Sequence, residues 1–194
     1  MSKKFDGTWK EIWTQIGAQD SKKENVSELG GWERVETPIE EVVKKLHEFL
    51  NIEETDKVLE IGCGAGTLAQ YMKCDYIGVD FSRTSIKKCM EYFQQPAIYA
   101  EANNLPFKDK YFDKCFAYGM FMYFPDKKYT KQVIQEMIRV TKNMIFVGEL
   151  PIESHEPKHQ LFTRNEFEKY GFTSIDGWVK PYQNIRFSIY KELQ

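Results

Sequence analysis

One decapeptide constrains this chain more than any other: Val58-Leu59-Glu60-Ile61-Gly62-Cys63-Gly64-Ala65-Gly66-Thr67. An apolar, strand-like run enters three glycines spaced two apart, and residues 67–73 continue with helix-like character. That order reads as a strand turning sharply into a helix N-terminus. Glycines there allow positive φ and let a ligand approach where a Cβ would block it. Free N–H groups at the helix start favour an anionic ligand group. The dinucleotide fingerprint G-x-G-x-x-G needs its third glycine at position 67, where Thr67 stands. Glu60 lies within the strand itself, and a carboxylate in that setting is costly unless something donates hydrogen bonds to it.

The rest of the chain alternates in a way that suits such a start. Before residue 56 the pattern is partly helical: Phe5, Trp9 and Trp13 fall on one face, Gly30-Gly31 marks a break, and Thr37-Pro38 opens a helix with Val42, Val43, Leu46, Phe49 and Leu50 along one side. Strands are predicted at 58–61, 76–79, 96–100, 112–119, 144–147, 173–179 and 186–193. Helices are predicted at 86–93 and 129–141, with a short one begun by a capping box from Thr163 to Glu166. Alternating strands and helices imply an α/β fold with a mainly parallel sheet and helices on both faces. The last two strands are joined by a turn, which forces an antiparallel hairpin. At 194 residues one domain is expected, able to bury roughly 70% of its unfolded surface.

Ligands of open α/β sheets gather at the carboxyl ends of the strands. Those ends carry Gly62, Gly64 and Gly66 after the first strand, and Asp80-Phe81 after the second. Glu101-Ala102 follows the third, and Tyr118-Gly119 the fourth. A carboxylate at Asp80 can accept both hydroxyls of a ribose. The segment E-x-G-x-G-x-G resembles motif I of the class I S-adenosylmethionine-dependent methyltransferases. Glu101-Ala102-Asn103-Asn104-Leu105-Pro106-Phe107 resembles that family's acid-Ala segment followed by Leu-Pro-Phe, and Phe112-Asp113 resembles its fourth motif. The likeness spans about residues 56–150. It implies a Rossmann-like domain over 56–194 with a seven-stranded sheet, and a helical segment over 1–55 capping the active site. It also implies S-adenosyl-L-methionine as cofactor, held by Glu60, Gly62, Gly64, Gly66, Asp80, Phe81, Glu101, Ala102 and Tyr118. Glu101 would face the adenine amine, and the Ala102 N–H a ring nitrogen.

Departures from the family pattern bear on the acceptor. Met122-Tyr123 stands where many small-molecule members carry two histidines, so Tyr123 either orients a substrate or packs. The fourth strand ends without Asn-Pro-Pro-Tyr or Pro-Cys, which argues against amide or adenine methylation and against a covalent cytosine mechanism. Candidate bases for a protic acceptor are Glu149, His155 and His159. Phe5, Trp9 and Trp13 either form a lid or pack on the sheet.

The formal charge of −2, with no basic field, favours a small-molecule substrate, with no nucleic acid expected. Cys63, Cys74, Cys89 and Cys115 lack metal-ligand spacing, so no metal is expected. The N-terminus lacks the apolar run of a signal peptide and no stretch suits a membrane span, so a cytoplasmic protein is expected. Two other readings remain open: a methyltransferase-fold binding subunit with weak or no catalysis, and a nicotinamide oxidoreductase. The sequence does not set the oligomeric state.

Overall fold

The computed structural model describes residues 7–154 and 156–193. Its strands are β1 Lys57–Ile61, β2 Asp75–Asp80, β3 Ala97–Tyr99, β4 Phe112–Tyr118, β5 Thr141–Pro151, β6 Thr173–Asp176 and β7 Arg186–Glu192. Its helices are α1 Trp9–Gly17, α2 Val26–Leu29, α3 Ile39–Leu50, α4 Arg83–Phe93, α5 Lys127–Val140 and α6 Asn165–Glu168. The strands form one seven-stranded sheet in the order β3-β2-β1-β4-β5-β7-β6. β1 to β5 pair in parallel, and β7 runs antiparallel between β5 and β6. This is the mainly parallel α/β sheet that the strand–helix alternation predicts, in the Rossmann-like form that the family resemblance implies.

Strand periodicity divides the core. Leu59 and Ile61 of β1, with Cys115 and Ala117 of β4, face the layer built from Val133, Ile134 and Met137 of α5. Val58 and Phe116 face the opposite layer, where α3 buries Val42, Val43, Leu46 and Leu50. Each such side chain removed from water contributes about 1.5–3 kcal/mol. Glu60 and Tyr118 share the α3 side with Val58 and Phe116, because side chains alternate along a strand. The strand order reverses between β1 and β4, which opens a crevice at their carboxyl ends.

Three local expectations need correction. Residues 67–73 do not form an α-helix: after turns through the glycines there is one 3-10 turn, Ala69–Tyr71, and Met72 is already extended. Residues 67–74 are all the chain between Gly66 and β2, and Leu68, Ala69 and Met72 must all reach the core. The helix N-terminus expected to favour an anion is therefore missing at this place. Thr37 does not cap α3; its hydroxyl accepts the Lys180 N–H at 2.9 Å, tying the N-terminal segment to the loop after β6. The Thr163–Glu166 capping box does not form, since α6 starts one residue later without a side-chain cap. A capping box does form at the start of α1, where Thr8 Oγ1 accepts the Glu11 N–H and Glu11 Oε2 accepts the Thr8 N–H.

Two strands differ most in length from expectation, β5 and β6. β5 runs on to Pro151 because β7 continues the ladder, Leu150 opposite Phe187 and Pro151 opposite Arg186. β6 stops at Asp176, and Trp178 turns its N–H toward the Glu149 carboxylate instead of the sheet.

Candidate active site

A cavity of about 770 Å³ opens at the tips of β1, β2 and β4 and the loop after β3, with α1 along one side. Gly62 and Gly64 line it with φ of 77° and 53°, values that L side chains rarely adopt. Gly66 does not line it. A Cβ on Gly66 would stand 2.8 Å from the Phe93 ring and 2.9 Å from Cys89 Sγ, so this glycine serves the packing of the loop on α4.

The strand-embedded Glu60 has its partner. It is 3% exposed, and its Oε2 accepts a hydrogen bond from the Tyr76 hydroxyl at 2.6 Å. Burial pushes its carboxyl up to about 7; the Tyr76 hydroxyl works against this and the Asp80 charge adds to it. Gly78 pairs with Glu60 across β1 and β2. A Cβ there would lie 2.7 Å from Cys63 Sγ and 2.9 Å from the Tyr76 hydroxyl, so glycine is what lets Tyr76 reach Glu60.

Asp80, at the tip of β2, is fixed by backbone. Its Oδ2 accepts the Gly64 N–H at 3.0 Å and its Oδ1 accepts the Ser82 N–H at 2.8 Å. Each oxygen retains a lone pair, and the residue lines the cavity. Burial pushes its carboxyl up to about 6, opposed by the Ser82, Gly64 and Phe81 N–H groups. Phe81 follows at the rim. Glu101 and Ala102 line the same cavity from the loop after β3. Glu101 is ion-paired with Lys10 of α1, and the Tyr129 hydroxyl donates to its Oε2 at 3.3 Å. Asp80 and Glu101 thus sit on one cavity, close enough for each charge to act on the other.

Beyond the β4 tip the walls are aromatic. Tyr118, Met120, Tyr123, Trp9, Trp13 and Trp32 line this end, with Lys158. Tyr123 lies edge-on to both Trp9 and Trp13, at centroid distances of 4.7 and 4.9 Å. Burial pushes the Tyr123 hydroxyl up to about 12, which makes it a poor base near neutrality. His159 stacks on Trp9, and its Nδ1 is 2.6 Å from Ser154 Oγ. His155 and Phe5 lie outside the described residues.

Glu149 does not line the cavity. Its backbone takes φ 63° at a bulge in β5, where a non-glycine residue costs on the order of 1–3 kcal/mol. The side chain is 1% exposed, with Oε1 accepting from the Trp178 N–H at 2.9 Å and the Tyr118 hydroxyl at 3.3 Å. Arg186 stands 3.9 Å from Oε2, and burial raises the carboxyl above its ordinary range.

The sequence pattern did not single out Tyr76, Met120, Trp32, Lys10 or Lys158. Tyr76 had the one available signal: it opens the strand beside Glu60, where a hydroxyl donor is wanted. Lys10 and Lys158 come from distant segments, and Met120 covers Gly62 only because the β4 tip folds back over it.

Open glycines at β1, an acid at the β2 tip, acid-Ala after β3 and an aromatic β4 tip meet at one cavity on a seven-stranded 3-2-1-4-5-7-6 sheet, the arrangement that the resemblance to class I S-adenosylmethionine-dependent methyltransferases implies. Residues 59–144 match the family model described as a methyltransferase domain. S-adenosylmethionine is the cofactor of that class. Among relatives, a tRNA (carboxymethyluridine(34)-5-O)-methyltransferase of Arabidopsis thaliana is 32% identical over 125 residues, 64% of this chain and 30% of that protein. The chain spans less than half the length of the curated relatives it matches. An S-adenosylmethionine-dependent methyltransferase from Aquifex aeolicus superposes with a TM-score of 0.64 at 16% identity, covering 90% of this chain and 100% of that one. Magnesium protoporphyrin IX methyltransferase of Synechocystis PCC 6803 gives a TM-score of 0.63 at 12% identity, with 100% of each chain covered. Among the described residues no helix is long and apolar enough to cross a membrane.

Proposed function

We propose that this chain transfers a methyl group from S-adenosylmethionine to a small-molecule acceptor, residues 56–194 forming the catalytic domain and residues 1–55 the cap over it. The observation that carries this reading is the meeting of Gly62, Gly64, Asp80, Glu101 and Ala102 on one cavity. Bound S-adenosylmethionine supplies a methyl group already activated on a sulfonium. The protein is left to hold, orient and exclude water, and positioning of that kind contributes up to about 7–11 kcal/mol.

Asp80 suits the ribose: each of its oxygens is fixed by one backbone N–H and keeps acceptor capacity for a hydroxyl. Glu101 and the Ala102 backbone suit the adenine edge, with Lys10 and Tyr129 holding the Glu101 carboxylate. Gly62 and Gly64 leave room for the chain linking nucleoside to sulfonium, near Glu60. Phe81 and Tyr118 supply flanking rings.

The cap reading rests on the contacts of α1. Trp9 Nε1 donates to the Lys158 carbonyl at 3.0 Å, Lys10 reaches Glu101, and Lys88 of α4 donates to the Gly17 carbonyl at 2.8 Å. An acceptor end walled by Trp9, Trp13, Trp32 and Tyr123 suits a compact apolar or aromatic molecule. Tyr123 acts there as an orienting wall.

The Arabidopsis relative favours a second reading, in which the acceptor is a nucleoside of RNA. Labelled S-adenosylmethionine offered in parallel to a metabolite extract and to bulk tRNA separates the two. Label in small molecules is the expected result. Label in tRNA alone establishes the second reading, and label in neither, with S-adenosylhomocysteine still bound, points to a binding subunit.

A further inference from the structure

We propose that Glu149, acting through the hydroxyl of Tyr118, is the proton sink for a neutral hydroxyl on the acceptor, which makes the chain an O-methyltransferase of hydroxyl compounds. This rests on the methyltransferase reading above and names its acceptor class.

The inference starts from an oddity of the backbone. At φ 63° a glycine or asparagine would fit Glu149's position without comparable strain. A glutamate held there, 1% exposed, is a conflict between local preference and fold of the kind that gathers at functional sites. Its Oε1 accepts from the Tyr118 hydroxyl at 3.3 Å and the Trp178 N–H at 2.9 Å, while its Oε2 is buried without a hydrogen-bond partner. The charged and titratable groups that face it are Tyr118 from β4 and Arg186 from β7; Ser188 of β7 accepts its backbone N–H. Tyr118 is the member of this group that also lines the cavity, beside Gly119 and Met120 at the β4 tip.

A hydroxyl nucleophile must shed a proton, whereas a carboxylate acceptor need not. The proton of the acceptor hydroxyl passes to Tyr118 Oη as Tyr118's own proton passes to Glu149 Oε1. The acceptor oxygen loses one proton, Glu149 gains one, and Tyr118 ends neutral. Burial lifts the Glu149 carboxyl above the usual carboxylate range, which strengthens it as a proton acceptor.

The test uses Glu149→Gln, in which an amide oxygen can keep both accepted hydrogen bonds, and Tyr118→Phe. The first readout needs no acceptor: in full-length protein labelled with 3-fluorotyrosine, the Tyr118 fluorine signal is assigned by its loss in Tyr118→Phe. We expect that signal to titrate with Glu149, above the ordinary carboxylate range, and to lose that titration in Glu149→Gln. The second readout is label transfer from S-adenosylmethionine into a metabolite extract across pH 6–9. The expected result is an alkali-stable product, formed roughly 100-fold more slowly by Glu149→Gln, with S-adenosylhomocysteine affinity within threefold of wild type. The acid limb of the wild-type rate should vanish in the variant. A Tyr118 signal indifferent to Glu149, a rate within threefold of wild type, or a product that mass spectrometry identifies as a methyl ester or an N-methyl compound would overturn the proposal. Failure of wild type to bind S-adenosylhomocysteine would instead sink the methyltransferase reading beneath it.

Discussion

Replacing Glu60 by glutamine should stabilise the ligand-free protein while weakening its hold on the cofactor. The carboxyl of Glu60 moves from 4.5 to about 7 on folding, chiefly because it is buried. A carboxyl raised in this way binds its proton more tightly in the folded state than in the unfolded one. Its favourable contribution is complete below the unfolded value of about 4.5 and lost as pH rises through about 7. About 2.5 units at 1.36 kcal/mol each gives at most about 3 kcal/mol, part of it shared with Asp80. Glutamine carries no charge to desolvate and still offers an oxygen to the Tyr76 hydroxyl.

The difference in unfolding free energy between Glu60→Gln and wild type, from urea titrations, should therefore be near zero at pH 4.5. It should grow to about 3 kcal/mol in the variant's favour at pH 8, which for a chain of this size is roughly 6–12 °C in Tm. Calorimetric titration with S-adenosylhomocysteine at pH 8 should show the variant binding at least about tenfold more weakly, about 1.4 kcal/mol. A variant that is less stable than wild type at pH 8, or whose stability difference does not change with pH, would refute the reasoning.

Three further outcomes follow from the same geometry. Asp80→Asn replaces one ribose-facing acceptor by a donor and strains the contact with the Gly64 N–H; S-adenosylhomocysteine affinity should fall by about 1.5–3 kcal/mol in calorimetry. Gly66→Ala should cost about 2–4 kcal/mol of stability in urea, because its Cβ meets Phe93 and φ is 92°. Gly64→Ala, with open space around it and φ 53°, should cost less stability but more S-adenosylhomocysteine affinity than Gly66→Ala. Trp9→Ala removes the bond to the Lys158 carbonyl and the stacking on His159; stopped-flow release of S-adenosylhomocysteine should quicken about tenfold in a protein that remains folded, and unchanged release would remove the cap.

Much of this molecule can be read from local pattern. The seven strands, α3, α4 and α5 follow from apolar periodicity, and the antiparallel β7 from a connection too short for a crossover. Gly62, Gly64, Asp80, Glu101 and Ala102 could be placed on one cavity because the tips of parallel strands share one end of the sheet. What depends on tertiary context was harder to see. Residues 67–73 have helical character but too little chain to spend on a helix before β2. Gly66 belongs to the same motif as its neighbours, yet it faces α4 rather than the cavity. Glu149 ends its strand as a cavity residue would, but the bulge turns it under Tyr118. The need of Glu60 for a donor was legible, whereas the identity of Tyr76 depended on the bare strand position at Gly78.

The most direct measurement is calorimetric titration of the wild-type chain with S-adenosylhomocysteine, with NAD as the matched control. Saturable binding of one S-adenosylhomocysteine per chain, with no heat from NAD, is the predicted result. Absence of binding, or binding that Asp80→Asn and Glu60→Gln leave untouched, would contradict the assignment of this cavity to a sulfonium nucleoside.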